Sequence, residues 1–167
     1  SRRRHTRYIS VTGVQTCALP ISTVATAVYV VFLAHALHTQ PEAARAATQS
    51  LAARDAFIEE IRRFYPFFPS LVATTRRDFV WEGLSFPRGR QVILDLYGTN
   101  HDANAWPDPE IFRPARFASR PPGAFDLVPQ GGGDPRTGHR CPGEGIVHEV
   151  LERSFVFLTT RLRYDVR

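Results

Sequence analysis

The sequence predicts a mainly α-helical fold with a small β-sheet beside the helices, an α+β chain. Three observations predict it. Apolar residues recur at helical spacing over 23–37, 52–64 and 145–162. Short β-rich runs separated by a tight turn lie between 78 and 96. The stretch 99–141 carries seven prolines and the run Gly131-Gly132-Gly133, which reads as one long loop.

The elements follow in order. Thr23 to Leu37 is apolar enough to be a helix buried on most of its circumference. Thr39-Gln40-Pro41 ends it, because proline cannot continue a helix but suits the first turn of the next. Pro41 to Ser50 is Ala-rich and polar, a short exposed helix. Ala52 to Phe64 is amphipathic, with Ala56, Phe57, Ile61 and Phe64 at helical spacing, and Pro66 and Pro69 stop it. Asp78 to Trp81 and Gly83 to Phe86 suggest a tight hairpin, and Gln91 to Leu96 a further strand. After the long loop, Gly145 to Leu162 closes the chain as a helix with Ile146, Val150, Phe155 and Leu158 on its apolar side. A loop as long as 99–141 inside a domain is uncommon without a function.

Composition narrows the function classes. A chain of 167 residues, 43% hydrophobic and 22% charged, suits one globular domain rather than a disordered tail. Every basic side chain is Arg. Residues 1–21 hold Arg2, Arg3, Arg4 and Arg7 and no acid, whereas from Ser22 onward 17 Arg face 16 Asp and Glu. The body is thus nearly neutral and gives no support for nucleic-acid binding, which needs a basic face. Two cysteines, Cys17 and Cys141, make no disulfide framework. The expected compartment is reducing, the cytoplasm by default. The chain has no Met, so it lacks a start residue and reads as a fragment.

Residues 1–21 differ from the rest. They show no helical or strand period, and the composition breaks abruptly at their end. A secretory signal would need an uninterrupted apolar core, and Gln15, Thr16 and Pro20 interrupt it. The apolar run that follows is shorter than the roughly 20 residues of a membrane span. The segment resembles the translated read-through of a sequencing adapter. Residues 1–21 are therefore expected to be non-native, 22–167 to be the native part, and Cys17 to carry no function.

The chemistry concentrates at Gly138-His139-Arg140-Cys141-Pro142-Gly143-Glu144. One cysteine ends a glycine-rich loop immediately before a helix, with Pro142 expected in the first helical turn. Free N–H groups and the positive end of that helix favour a thiolate over a thiol. Glycines let backbone amides approach the sulfur and a flat ligand lie against the chain. Three roles suit this setting: a metal thiolate, a nucleophile, or an inert buried cysteine. His139 and His148 are near in sequence, but no recognised triad order is present. The spacing matches no zinc pattern, and no Gly-Lys-Ser/Thr follows the glycines.

Two further motifs are weak alone. Glu60 and Arg63 lie three apart on one helix face, an ordinary surface pair by itself. Phe112-Arg113-Pro114-Ala115-Arg116-Phe117 brackets an arginine with aromatics. Together, and in this order before the Cys loop, they resemble the C-terminal part of the cytochrome P-450 superfamily of haem-thiolate oxidases. Asp95-Leu96-Tyr97-Gly98-Thr99-Asn100-His101-Asp102 and Gln130-Gly131-Gly132-Gly133 bring the resemblance closer to bacterial fatty-acid peroxygenases. The match covers essentially Thr23 to Val166.

The resemblance implies the C-terminal part of that fold, haem b as cofactor, and Cys141 as axial ligand to the haem iron. It implies a charge network of Glu60, Arg63 and Arg116 that holds the Cys loop. His139 stands where a residue contacting a haem propionate is usual. The parent enzyme would hydroxylate fatty acids with hydrogen peroxide and need no redox partner. The alternatives are a conventional monooxygenase using oxygen and redox partners, or a non-catalytic haem-binding module. Asp134 and Thr137 stand where the superfamily pattern has Phe and Gly, which favours the peroxygenase variant of the loop, and Ala115 stands where Glu is frequent. The helix from Thr23 to His38 has no Asp or Glu. In the peroxygenase branch an Arg-Pro pair holds the substrate carboxylate instead. Here that pair falls at Ile21 and Ser22, so no catalytic residue of that kind is present, and the fragment is expected to be inactive alone.

Overall fold

A computed structural model describes residues 22–65, 67–119 and 122–164. The expected non-native segment and Ile21 lie outside these residues. Ten elements follow: α1 Ser22–Thr39, α2 Pro41–Ala47, α3 Leu51–Phe64, β1 Ser70–Thr74, β2 Phe79–Trp81, β3 Leu84–Phe86, β4 Gln91–Asp95, α4 Leu96–Asn100, α5 Arg116–Ser119 and α6 Glu144–Thr160. None of the described helices is long and apolar enough to cross a membrane.

The core forms where α1, α3 and α6 meet. α1 buries Ala25, Tyr29, Leu33 and Ala36, one stripe at helical spacing. The sequence suggested burial around most of this helix, and that expectation fails. Val24 and Val31 are well over half exposed, because α2, α3 and α6 cover only one side of α1. α3 starts at Ser50, whose Oγ accepts the Ala53 N–H at 3.1 Å, and ends where extended Tyr65 precedes Pro66. Phe57 at its centre meets Phe155 of α6 and Phe112 of the long loop edge-on, with ring centroids 5.8 and 5.3 Å apart.

The face of α6 is also corrected. Its buried stripe is Val147, Leu151 and Phe155, at i, i+4 and i+8. Ile146 is 69% exposed and Val150 only half-buried. One residue of phase rotates a helix by about 100°, so apolar residues on both flanks made the buried face ambiguous in sequence.

The expected single sheet is two. β2 and β3 form the predicted hairpin, Phe79 paired with Phe86 and Trp81 with Leu84. Its two-residue turn has positive φ at both Glu82 (48°) and Gly83 (79°), the mirror-image turn whose twist suits a hairpin. β4 instead pairs antiparallel with β1, a strand the sequence did not suggest, in register Ser70↔Asp95 and Val72↔Ile93. β4 stops at Asp95, whose carboxylate accepts the Gly98 N–H at 2.7 Å and caps α4. Leu96 is therefore the first residue of a helix and not the end of a strand. Beyond α4, the described residues up to Gly143 are loop and turn except for the single turn of α5.

Candidate cofactor-binding site

The Cys loop is fastened by backbone contacts. The Cys141 N–H donates to the Gln130 carbonyl at 2.9 Å, and the Glu144 N–H donates to the Cys141 carbonyl at 3.3 Å. Gly131 has φ +92°, and a Cβ placed on it would lie 1.9 Å from the His139 carbonyl oxygen. Only glycine lets these two backbone segments lie so close. α6 begins at Glu144, one residue before the expected Gly145, yet Pro142 is not in its first turn as expected. Gly143 is its N-cap, so Pro142 lies outside the helix and Cys141 two residues before the cap. The cap still lies beside the sulfur, since a Cβ on Gly143 would sit 3.6 Å from Sγ.

Cys141 is half-buried and lines a mostly apolar cleft with Ala25 and Thr26 of α1, Phe67, Leu96 and Val147. Exposed Ile146 faces this cleft as well, which explains an apolar side chain left out of the core. His139 lines it too and is exposed. Gln130, another lining residue, carries a buried side-chain oxygen with no hydrogen-bond partner.

Glu60, Arg63 and Arg116 come together beneath the long loop. The Glu60 carboxylate accepts Arg63 Nε and Nη2 at 2.9 and 2.8 Å, the Arg113 backbone N–H at 2.7 Å and Arg116 Nε at about 3.3 Å. Arg63 Nη1 donates to the Asn100 carbonyl at 2.9 Å. Arg116 spends its other donors on the carbonyls of Pro107, Asp108 and Ile111. Burial pushes the Arg116 guanidinium below its ordinary pKa, opposed by the Glu60 charge. Every charge here is paired and hydrogen-bonded, the condition for holding charge inside a fold.

The sequence reading missed three participants. Asn100 is buried, and its Oδ1 accepts the Val128 N–H at 2.8 Å, tying α4 to the loop segment that leads into Gln130. No local signal marks that role, because its partner lies far along the chain. Glu59 and Arg62 form a second pair beside Glu60 and Arg63. Arg62 Nη1 donates to both Glu59 oxygens at 2.7 and 2.8 Å, Nη2 meets Glu144, and Glu144 also takes Arg140 Nη2 at 2.9 Å. Adjacent i,i+3 pairs were the available signal. Nearby, the Tyr29 hydroxyl is buried without a hydrogen-bond partner, and burial raises its pKa to about 12 despite the Arg62 charge.

These residues fit a flat, metal-bearing group. The described residues hold no cluster of three or more His, Cys, Asp or Glu that could chelate a bare ion. They offer one thiol, which suits a metal whose other ligands come from a macrocycle. The glycine contacts leave backbone, not side chains, along that wall of the cleft.

Comparison with known proteins agrees. The family model described as cytochrome P-450 matches residues 34–163. Cytochrome P-450 4A10 of Rattus norvegicus is 32% identical over 111 residues, 65% of this chain and 21% of its own. The solved structure of cytochrome P-450SP alpha in complex with (R)-ibuprophen superposes with a TM-score of 0.82 at 51% identity, covering 87% of this chain and 36% of that one. Cytochrome P-450EX alpha with myristic acid gives 0.77 at 43% identity, covering 83% and 34%. The chain thus spans about a third of the solved structures and a fifth of the curated relative. The residues 34–163 matched by the family model contain both the charge network and the Cys loop: the chain belongs to the cytochrome P-450 family of haem-thiolate oxidoreductases, whose cofactor is haem b.

Proposed function

We propose that this chain is the haem-holding part of a fatty-acid peroxygenase, with Cys141 as the iron ligand. The observation that carries the reading is the 51% identity and TM-score of 0.82 to cytochrome P-450SP alpha. It is supported by likeness to cytochrome P-450EX alpha with myristic acid and to a cytochrome P-450 OleT variant in complex with arachidonic acid, both fatty acids.

Bound haem supplies the oxidising centre, and thiolate ligation favours O–O cleavage by donating electron density to iron. The chain's own residues do the rest. Cys141 Sγ would hold the iron, on a backbone fastened to Gln130 and Glu144. Phe67, Leu96 and Val147 keep the cleft apolar and exclude water from it. His139, at the exposed edge of the cleft, would hold a haem propionate. Glu60, Arg63 and Arg116 hold the long loop that delivers Cys141. α1 offers no carboxylate to move a proton, so the substrate's own carboxylate takes that role, held in the parent by an Arg-Pro pair. The arginine of that pair would fall at Ile21, inside the segment 1–21 that we read as non-native, and re-sequencing the locus tests this.

The test is a carbonyl difference spectrum of the reduced, haem-loaded chain. A thiolate-type Soret band is expected, and Cys141→Ser should abolish it. The isolated chain with peroxide and a fatty acid should not turn over. The intact parent should hydroxylate fatty acids with peroxide alone. A requirement for NAD(P)H and a reductase would instead favour the monooxygenase reading.

A further inference from the structure

α3 carries two ion pairs offset by one residue, Glu59–Arg62 and Glu60–Arg63. An offset of one rotates the second pair about 100° around the helix, so the two pairs face different neighbours. The Glu60 pair faces the long loop. The Glu59 pair faces α6 and the Cys loop. The latter forms a linear chain of alternating charge, Glu59, Arg62, Glu144, Arg140. Its last link, Arg140 to Glu144, spans Cys141, with one partner immediately before the cysteine and the other three residues after it. Arg62 is 3% exposed and Glu144 16%, so water screens this chain weakly.

From this geometry we infer that Arg62 and Glu144 are positioning residues for Cys141: they clamp the Cys segment to α3 and so set the sulfur's place in the cleft. The clamp is independent of the Glu60 network, which touches neither Arg140 nor Glu144. It rests on the reading of Cys141 as the iron ligand. Arg suits the central place because its fork can bond two carboxylates at once, whereas an ammonium is a single point of charge. Breaking the clamp would free the loop to drift and the sulfur to leave its place.

The experiment uses the full chain loaded with haem. Arg62→Met and Glu144→Gln are compared with the unsubstituted chain and with Arg153→Ala, which removes an exposed pair on the same helix. The readouts are the ferrous carbonyl spectrum and the rate of haem transfer to apomyoglobin. Both clamp variants should shift intensity from the thiolate-type band to the band of a lost or protonated thiolate. Both should lose haem on the order of 10-fold faster, the scale of a metal's outer-shell partners. Arg62→Lys should recover part of the thiolate band, and Arg153→Ala should match the parent chain. Should Arg62→Met not fold, Glu144→Gln carries the test, since its side chain is partly exposed and keeps its shape. Clamp variants with an unchanged band and rate would overturn the inference, even if they unfold more easily, and leave the Cys141 reading standing. Absence of a thiolate band in the unsubstituted chain would overturn both.

Discussion

The carboxylate of Glu60 and the guanidinium of Arg63 meet through two hydrogen bonds of 2.9 and 2.8 Å, with both side chains at 0% exposure. Removing one partner of a buried pair strands the other charge. Glu60→Ala should therefore destabilise the fold by about 3–5 kcal/mol in urea unfolding. Arg153→Ala, breaking a pair whose side chains are 80% and 54% exposed, should leave stability almost unchanged. Equal costs would show that the Glu60 pair is not isolated from water.

Two glycines near the Cys loop should respond in opposite directions. Gly131→Ala places a Cβ 1.9 Å from a backbone carbonyl at positive φ, so it should destabilise by about 1–3 kcal/mol. Gly145→Ala meets nothing within 4 Å inside α6 and should stabilise by roughly 0.5–1 kcal/mol. Thermal unfolding of the two variants checks both signs.

His101 sets a pH dependence. Burial lowers its pKa; its Nδ1 bonds the Tyr97 carbonyl at 3.0 Å, and its buried Nε2 has no partner to receive a proton's charge. The unfolded chain thus binds the proton more readily than the folded one. Its contribution is fully present above the unfolded pKa of about 6.5 and is lost as pH falls through the folded value. His101→Gln should flatten the fall in unfolding free energy below about pH 6.5. An unchanged slope would assign that pH dependence to other groups.

The phase of α6 makes a fourth prediction. Leu151 is fully buried, so Leu151→Ala should cost about 2–5 kcal/mol, whereas Ile146→Ala should barely alter unfolding. Ile146 lines the cleft, so its truncation should appear in haem retention instead. The reverse pattern would restore the face suggested by periodicity alone.

The sequence by itself determined the helices whose signals are local. α3 has its apolar spacing, its stopping prolines and its buried Phe57, and the β2–β3 hairpin has a glycine where the turn needs positive φ. It also marked Cys141, Glu60, Arg63 and Arg116, because these stand in an order that resembles a known family. Only the tertiary structure decided what depends on distant partners. β1 became a strand because β4 pairs with it some twenty residues later. Ile146 and Val147 are both apolar, and only the position of α3 and α1 buries the second and leaves the first to the cleft. Arg62 and Arg63 are identical in type and adjacent in sequence. About 100° of helix rotation sends one to the Cys loop and the other to the long loop, and no local pattern states what waits at either end.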